Sequence, residues 1–481
     1  MYYKLREEIG LRGWEERPYN LRHFPSGETM EIGEEFFQAL SFCDGSFPVD
    51  SLLVPPSAKQ MIDLAIKRGA VVKCEKGETL TEKQKYKLYP SKYITSAHWS
   101  ITGKCNMKCR HCYMSAPEAK FGEISHEMAM NIVEQLGEMG VAKVSLTGGE
   151  PLVREDFMQI VDGLLERDII IHQIYTNGLL VNDALLNELD KRKCKPEFSF
   201  SHDGIGWHDW MRGHEGAEEV AINAIKLCVS RGFPVTIESA FHKKNIHTIV
   251  DTMFLLADLG VSGWKTNPVG RTGNWLKEDE SIDLSIQETF DAYLNLIDKY
   301  LEAGSPITMM LGGLFMCQKG SKNWTSPIVK PYKDAESRMK EVLCPCARYT
   351  MYISADAKLL PCMPLAGMPI QEGYASLTDT TINEAMKAST YWSHVNATLE
   401  DLKANNSECG ECEYFLNCNG GCRAAGLQMH DGLDYYSKDS WTCVIFKDNL
   451  QEKIKKIVET HCHVSPDEQC EKHNCKCSDH N

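Results

Sequence analysis

Beyond about residue 95 the apolar positions fall into short runs separated by amphipathic stretches. Lys143 to Leu146, Ile169 to Tyr175, Glu197 to Ser201, Val235 to Ala240 and Gly263 to Thr266 read as strands. Helical patterns run between them. Ser125 can cap one such helix by accepting a backbone N–H, and Met128, Ile132, Val133, Leu136 and Met139 make its apolar stripe. Glu219 to Val229 repeats the pattern with Val220, Ala224, Leu227 and Cys228. Repeated β-α units predict an α/β fold with a parallel sheet and right-handed crossovers, a barrel or part of one, over residues 95–310. In such a barrel the chemistry belongs at the C-terminal ends of the strands.

The flanks are patterned differently. Residues 1–80 read as a separate module: a strand or two within Tyr2 to Trp14, a helix over Glu34 to Phe42, a break at Pro55-Pro56, a helix over Lys59 to Lys67 and a closing strand at Val71 to Cys74. That order suggests a winged-helix-like unit. The polar, Lys-rich stretch Glu75 to Lys92 reads as a linker, set at residues 81–94. After residue 310 the alternation stops, and residues 311–450 are short-patterned, Gly- and Pro-punctuated and rich in cysteine. The expectation for this region is a small apolar core, with bound metal supplying much of the folding energy. Residues 451–481 read as a final helix, about Lys447 to Thr460 in all, followed by a polar tail.

Composition narrows the function classes. The 481 residues carry 52 basic and 67 acidic side chains, a formal charge of −15, with 43% apolar residues. That is ordinary globular composition, and no long basic stretch offsets the charge, so a phosphate-backbone binder is a poor expectation. No run of about 18 apolar residues marks a membrane span, and MYYKLREEIG has no signal-peptide core. A cytoplasmic protein is expected. Its 20 cysteines then read as metal ligands or redox groups rather than disulfides.

The cysteines are clustered. Cys105-x3-Cys109-x2-Cys112 follows the first barrel strand. Three thiolates on a short loop can hold three irons of a cubane and leave the fourth open; a closed zinc site with His111 as fourth ligand is the alternative. Leu146-Thr147-Gly148-Gly149-Glu150-Pro151 ends the next strand, where two glycines let a ligand approach the backbone and a carboxylate can accept bonds from an amine. Alone, that segment reads equally as a plain turn. Further on stand Cys344, Cys346 and Cys362, then Cys409-x2-Cys412-x5-Cys418-x3-Cys422, then Cys443. A zinc knuckle is the bland reading of that region.

Taken together, the first two motifs, with Tyr175-Thr176-Asn177-Gly178 and Ser199-Phe200-Ser201-His202-Asp203-Gly204, resemble the radical S-adenosylmethionine enzymes over roughly residues 97 to 310. The resemblance implies a partial (β/α)6 TIM-like barrel. It implies a [4Fe–4S] cluster on Cys105, Cys109 and Cys112, S-adenosylmethionine held by Gly148, Gly149 and Glu150, and a ribose contact from Ser201. The C-terminal pattern resembles the SPASM domain of peptide-modifying members of that family, which carries two auxiliary [4Fe–4S] clusters. It implies one cluster on Cys409, Cys412, Cys418 and Cys443, and another on Cys362 and Cys422 with Cys344 and Cys346 as remaining candidates, so three clusters in all. Residues i and i+2 of an extended segment face the same way, so both of the last two could reach one cluster; if only one binds, an iron stays open. The departures are Ala357, where the pattern has Gly, and His202, where it has an aliphatic residue, to which no role is assigned.

The N-terminal module resembles the leader-recognition element of ribosomal-peptide (RiPP) maturases, to which a leader adds a strand; a DNA-binding winged helix is the alternative. The implied activity is an oxidoreductase that cleaves the cofactor to a 5′-deoxyadenosyl radical, abstracts hydrogen from a precursor peptide and closes a thioether or carbon–carbon link. Its implied partners are that peptide and an external electron donor such as flavodoxin or ferredoxin. Neither membrane nor nucleic acid is expected as a partner. The sequence singles out no catalytic side chain. The alternatives are a formylglycine-forming sulfatase maturase and, in another class, a non-catalytic metal-dependent winged-helix regulator. The first lacks its basis, because Met363 stands after Cys362 where that family has Asp. His461, Cys462, His463, Cys470, His473, Cys475, Cys477 and His480 make the tail either a metal site or a solvated, oxidisable segment. Cys43, Cys194 and Cys228 read as packing residues, and Cys317 as core or as a hydrogen donor or spare ligand near the cavity.

Overall fold

A computed structural model describes residues 1–116 and 120–462. Six parallel strands form the centre: Ser96–Ser100, Lys143–Thr147, Ile170–Thr176, Glu197–Ser201, Val235–Phe241 and Gly263–Pro268, each hydrogen-bonded to the next in chain order. This is the expected partial TIM-like sheet. It is extended at both margins. Thr308–Leu311 continues it in parallel, followed by the short antiparallel strands Phe315–Cys317 and Trp324–Thr325. At the other margin Thr350–Ile353 pairs in parallel with Ser96–Ser100, and Leu359–Leu360 closes a hairpin on it. The sheet alternates as each strand must: Ala97, Trp99, Val144, Leu146, Phe198, Phe200 and Ile237 pack outward under helices, whereas Tyr175, Ser199, Ser201 and Glu238 face the concave side.

Local chemistry sets the helix ends. Ser125 Oγ accepts the Met128 N–H at 3.1 Å and starts the helix His126–Glu138, whose Ala129, Ile132, Val133 and Leu136 are buried. The helix Ala217–Ser230 is rotated from the expected stripe. Ala221, Ala224, Ile225 and Cys228 are buried, with Val220 and Leu227 at the flanks, because small side chains let the helix lie close on the sheet.

Two small sheets lie upstream. Asp44–Pro48, Tyr2–Leu5 and Val71–Cys74 form an antiparallel three-stranded sheet with the helices Glu34–Ser41 and Pro56–Lys67, around Leu5, Leu40, Ile62 and Ala65. Pro55 and Pro56 begin the second helix; Pro56 stands in its first turn, where a missing N–H costs nothing. The strands Thr29–Glu31, Asn20–His23 and Ile9–Gly13 form a second sheet, and Lys87–Leu88, within the stretch read as a linker, adds a strand to it. Gln84 pins the same stretch by donating to the Leu5 and Arg6 carbonyls. Trp14, fully buried, stacks on Tyr89 and donates from Nε1 to the Met139 carbonyl at 3.0 Å, which fastens this sheet to the barrel.

The C-terminal region departs from expectation. It has a substantial core: Met351, Tyr352, Ile353, Leu360, Leu365, Ile382, Leu399 and Ile445 are fully buried and belong to the same apolar cluster as the barrel. Single apolar residues scattered among short helices create that core. The last helix, Leu450–Cys462, packs on Ile286–Glu302 and brings His461 Nε2 to 2.8 Å from Asp298. Of the tail residues singled out above, His463, Cys470, His473, Cys475, Cys477 and His480 lie outside the described residues, as does the Cys462 side chain. Among the described residues no helix is long and apolar enough to cross a membrane. Cys43, Cys194 and Cys228 are buried packing residues. Cys317 is buried too, its Sγ directed at the Ser321 and Asn323 carbonyls at 3.3 and 3.4 Å, which makes it part of the core.

Ala357 sits in the hairpin turn between Thr350–Ile353 and Leu359–Leu360 with φ of +62°. An L-residue pays about 1 kcal/mol for that left-handed conformation, and glycine does not. Ala357→Gly should therefore raise stability by about 1 kcal/mol, less whatever its buried methyl contributes, whereas Ala357→Val should lower it. The midpoint of chemical denaturation reads both.

Candidate active site

A cavity of about 200 Å³ opens at the C-terminal ends of the barrel strands. Cys105, Cys109 and Cys112 line it together with Gly148, Gly149, Glu150 and Ser201, so residues drawn from three separate segments meet there. His111 and Met363 line it as well. Met363 comes from the C-terminal region and completes the wall.

The glycines are required by close approach. A Cβ on Gly148 would lie 2.3 Å from the Thr102 carbonyl oxygen, and one on Gly149 would lie 2.2 Å from that of Lys104. Hydrogen bonds from Gly149 N to Thr102 O and from Glu150 N to Lys104 O, both 2.9 Å, fasten the cysteine loop to the strand end. Asn177 Nδ2 donates to Asn106 Oδ1 at 2.7 Å and holds the same loop from the third barrel strand.

Each sulfur of the first group receives an N–H. Met107 N donates to Cys105 Sγ at 3.4 Å, Ala116 N to Cys112 Sγ at 3.4 Å, and Arg212 Nη1 to Cys109 Sγ at 3.8 Å. Burial pushes all three thiols up, Cys105 to about 12. Thiols so placed deprotonate against a cation, and the N–H groups then stabilise the sulfur charge. The donor set fits an iron–sulfur cluster on those three residues.

Glu150 is fully buried, and its carboxylate serves its own chain. It accepts from Leu152 N at 3.1 Å, Thr176 Oγ1 at 2.9 Å and Asn177 N at 2.7 Å. Burial pushes its carboxyl up to about 7 against the pull of those bonds. Its geometry is that of a loop organiser whose backbone borders the cavity.

The remaining cysteines fall into two groups. Cys409, Cys412, Cys418 and Cys443 line one cavity of about 370 Å³, with Lys438 and Lys447 beside them. The neighbouring Cys344 and Cys346 thiols act on one another, so that Cys344 is pushed up and Cys346 held down. Burial pushes the Cys362 thiol up to about 12, aided by neighbouring Cys422 and Cys346. The structure thus gathers Cys344, Cys346, Cys362 and Cys422 in one neighbourhood.

Sequence reasoning passed over the support beneath the first group. Arg212 Nε lies 2.7 Å from Asp203 Oδ2, whose carboxylate is fully buried. Burial opposes that charge, yet Arg212 and His208 hold the carboxyl well below its usual range. The Ala240 N–H donates to Asp203 Oδ1 at 3.0 Å. His202 stacks on His208 with ring centroids 5.3 Å apart, and both are buried. Nearby, His111 has its Nδ1 buried and unbonded; burial, with Arg212, pushes its ring down to about 4. Asp203 and Arg212 are far apart from Cys109 in the chain, and only their burial together marks them.

Asp203→Asn would strand the Arg212 guanidinium in the interior, a loss of about 3 kcal/mol at neutral pH. Because the folded carboxyl is depressed, its contribution is complete above the unfolded carboxylate range and is lost as pH falls. The stability gap between the two proteins, measured by denaturation, should therefore narrow below about pH 4.

With the geometry in view, comparison with known proteins is informative. Residues 99–256 match the Radical SAM superfamily model. An AdoMet-dependent heme synthase of Methanosarcina barkeri is 25% identical over 338 residues, covering 68% of this chain and 90% of that one. Mycofactocin maturase MftC of Mycobacterium ulcerans is 25% identical over 355 residues, covering 70% and 85%. Among solved structures, Streptococcus suis SuiB bound to precursor peptide SuiA superposes with a TM-score of 0.59 at 16% identity, covering 92% of this chain and 99% of that one. That likeness is one of fold. The three-cysteine cavity at the strand ends lies within the matched segment and beside it: residues 99–256 of this chain are a radical SAM domain.

Proposed function

We propose that the protein is a radical SAM peptide maturase with a SPASM-type C-terminal region, acting on a ribosomally made precursor. The observation that carries this reading is the joint presence of Cys105, Cys109 and Cys112 at the reaction cavity and of Cys409, Cys412, Cys418 and Cys443 around a separate one. Cys105, Cys109 and Cys112 would hold the first [4Fe–4S] cluster, with S-adenosylmethionine against Gly148 and Gly149 and near Ser201. Bound there, cluster and cofactor supply hydrogen-atom abstraction from an unactivated carbon. Cys409, Cys412, Cys418 and Cys443, and Cys344, Cys346, Cys362 and Cys422, would hold two auxiliary clusters, whose chemistry is one-electron transfer.

A cross-link removes two hydrogens from the peptide: one as an atom, the other as a proton and an electron. Met363 cannot take the proton, which disfavours the formylglycine route. Glu238, paired with Lys265 at 3.1 Å, lines the cavity and offers a carboxylate to a substrate. At the other end of the chain, the sheet edges Asp44–Pro48 and Val71–Cys74 suit addition of a leader strand. The fold likeness to SuiB over 92% of this chain supports the reading.

A second reading is tetrapyrrole modification, favoured by the heme synthase that this chain matches over 90% of its length. It leaves the N-terminal module without a role.

Incubation of the anaerobically reconstituted protein with the small peptide encoded beside it separates the two. Tandem mass spectrometry should show a loss of two hydrogens per link; turnover of an iron porphyrin with the peptide unchanged would reverse the assignment. Ala at Cys105, Cys109 and Cys112 together should abolish cofactor cleavage. Glu238→Gln should keep uncoupled cofactor cleavage while product formation falls about a hundred-fold or more, the ordinary reach of a lost general base; equal loss of both would remove Glu238 from the proton step.

A further inference from the structure

Between the second N-terminal sheet and the barrel lies another cavity, of about 330 Å³. Its floor is cationic. Arg12 and Arg22 are 4% and 2% exposed, and among the described residues neither has a carboxylate at ion-pairing distance. Arg12 donates only to backbone carbonyls, those of Leu11 at 2.7 Å, Lys85 at 3.1 Å and Lys83 at 2.7 Å. Arg22 Nη2 does the same toward Ala142 at 3.2 Å and Asp168 at 2.5 Å. The Nε of each is buried and unbonded.

Carbonyls answer hydrogen bonds and leave the charge. A buried guanidinium without a carboxylate at pairing distance is costly, and burial, with Arg12 beside it, pushes Arg22 down to about 10 against the weaker pull of Tyr89 and Asp168. Lys87 lines the same cavity, exposed, lying over the Tyr89 ring without a carboxylate partner among the described residues. The remaining charges are spoken for or outside. Lys83 pairs with Asp168 and Arg167 with Glu134. Glu82, Glu138 and Glu166 are exposed, where water screens them.

We propose that this cavity is an oxyanion-binding site in which Arg12, Arg22 and Lys87 hold a carboxylate or phosphate group. Guanidinium forks suit both chemistries. The group can come from a free phosphate ester or from an acidic side chain of a bound peptide. Arg12 and Arg22 belong to the N-terminal sheet, whereas Gly137 and Arg167 on the facing wall belong to the barrel. An occupant therefore bridges the two and tightens their docking. The proposal stands apart from the peptide-maturase reading, since an anion can bind whatever the reaction is.

The test uses the reconstituted full chain at constant ionic strength. Inorganic phosphate and succinate are titrated separately, with chloride as control, by calorimetry and by thermal melting. The expected result is saturable binding with a melting rise of about 2 °C at saturation. Binding of phosphate alone points to a free phosphate ester, and binding of succinate to an acidic side chain. Arg22→Gln removes a buried anchor and lowers stability in itself, so Lys87→Gln, at an exposed position, carries the test: affinity should fall at least three-fold, and Arg12→Gln should abolish binding. No binding of either anion overturns the proposal. So does a melting rise that chloride reproduces, or an affinity that both Lys87→Gln and Arg12→Gln leave unchanged.

Discussion

Two carbonyl oxygens set the geometry of the reaction cavity. Those of Thr102 and Lys104 press so closely on Gly148 and Gly149 that a methyl group at either glycine would overlap them. The contact draws the cysteine loop flat against the strand end, and the rest follows. Asn106 comes within reach of Asn177, the Cys105 sulfur lies over the Met107 N–H, and Glu150 turns inward to accept from the Leu152 and Asn177 amides. A loop held only by a metal would be free to collapse without it; this loop is held first by its own backbone.

The opposite side of the cysteine group is held by charge. Asp203 and Arg212 form a buried pair, and the guanidinium reaches on to Cys109. A pair removed from water is seldom retained for stability alone, because desolvation consumes much of the attraction. Here it has a third member, the Cys109 sulfur, which would carry negative charge in the cluster proposed above. The cation beside Cys109 offsets that charge, and Asp203 keeps the cation aimed.

The barrel and the cysteine groups were legible because each rests on local signals: alternation with period two along the strands, and thiols at fixed short spacing. Gly148 and Gly149 were legible for the same reason. What escaped was long-range. The hairpin Asn20–His23 with Thr29–Glu31 is too short to alternate, and Asp44–Pro48, written Asp-Gly-Ser-Phe-Pro, reads as a turn until a neighbouring strand pairs with it. The C-terminal core escaped because its apolar residues come singly, each satisfied by a distant partner. Ala357 was visible as a departure, and its positive φ supplies the reason glycine is the usual choice at such a turn.

The pairing of Thr350–Ile353 with Ser96–Ser100 makes the C-terminal region part of the barrel's own sheet. Tyr352 places its hydroxyl 2.6 Å from Ser100 Oγ and 3.3 Å from the Tyr113 hydroxyl, just past the first cysteine group. A few residues further on, Cys362 belongs to the second four-cysteine group while its neighbour Met363 lines the reaction cavity. Adjacent residues thus face a group of cysteines on one side and the cavity on the other. An apolar side chain at that point adds no acid or base but keeps water from the place where a reactive carbon would form. The region that carries the additional cysteines is therefore also a region that contributes a wall to the cavity.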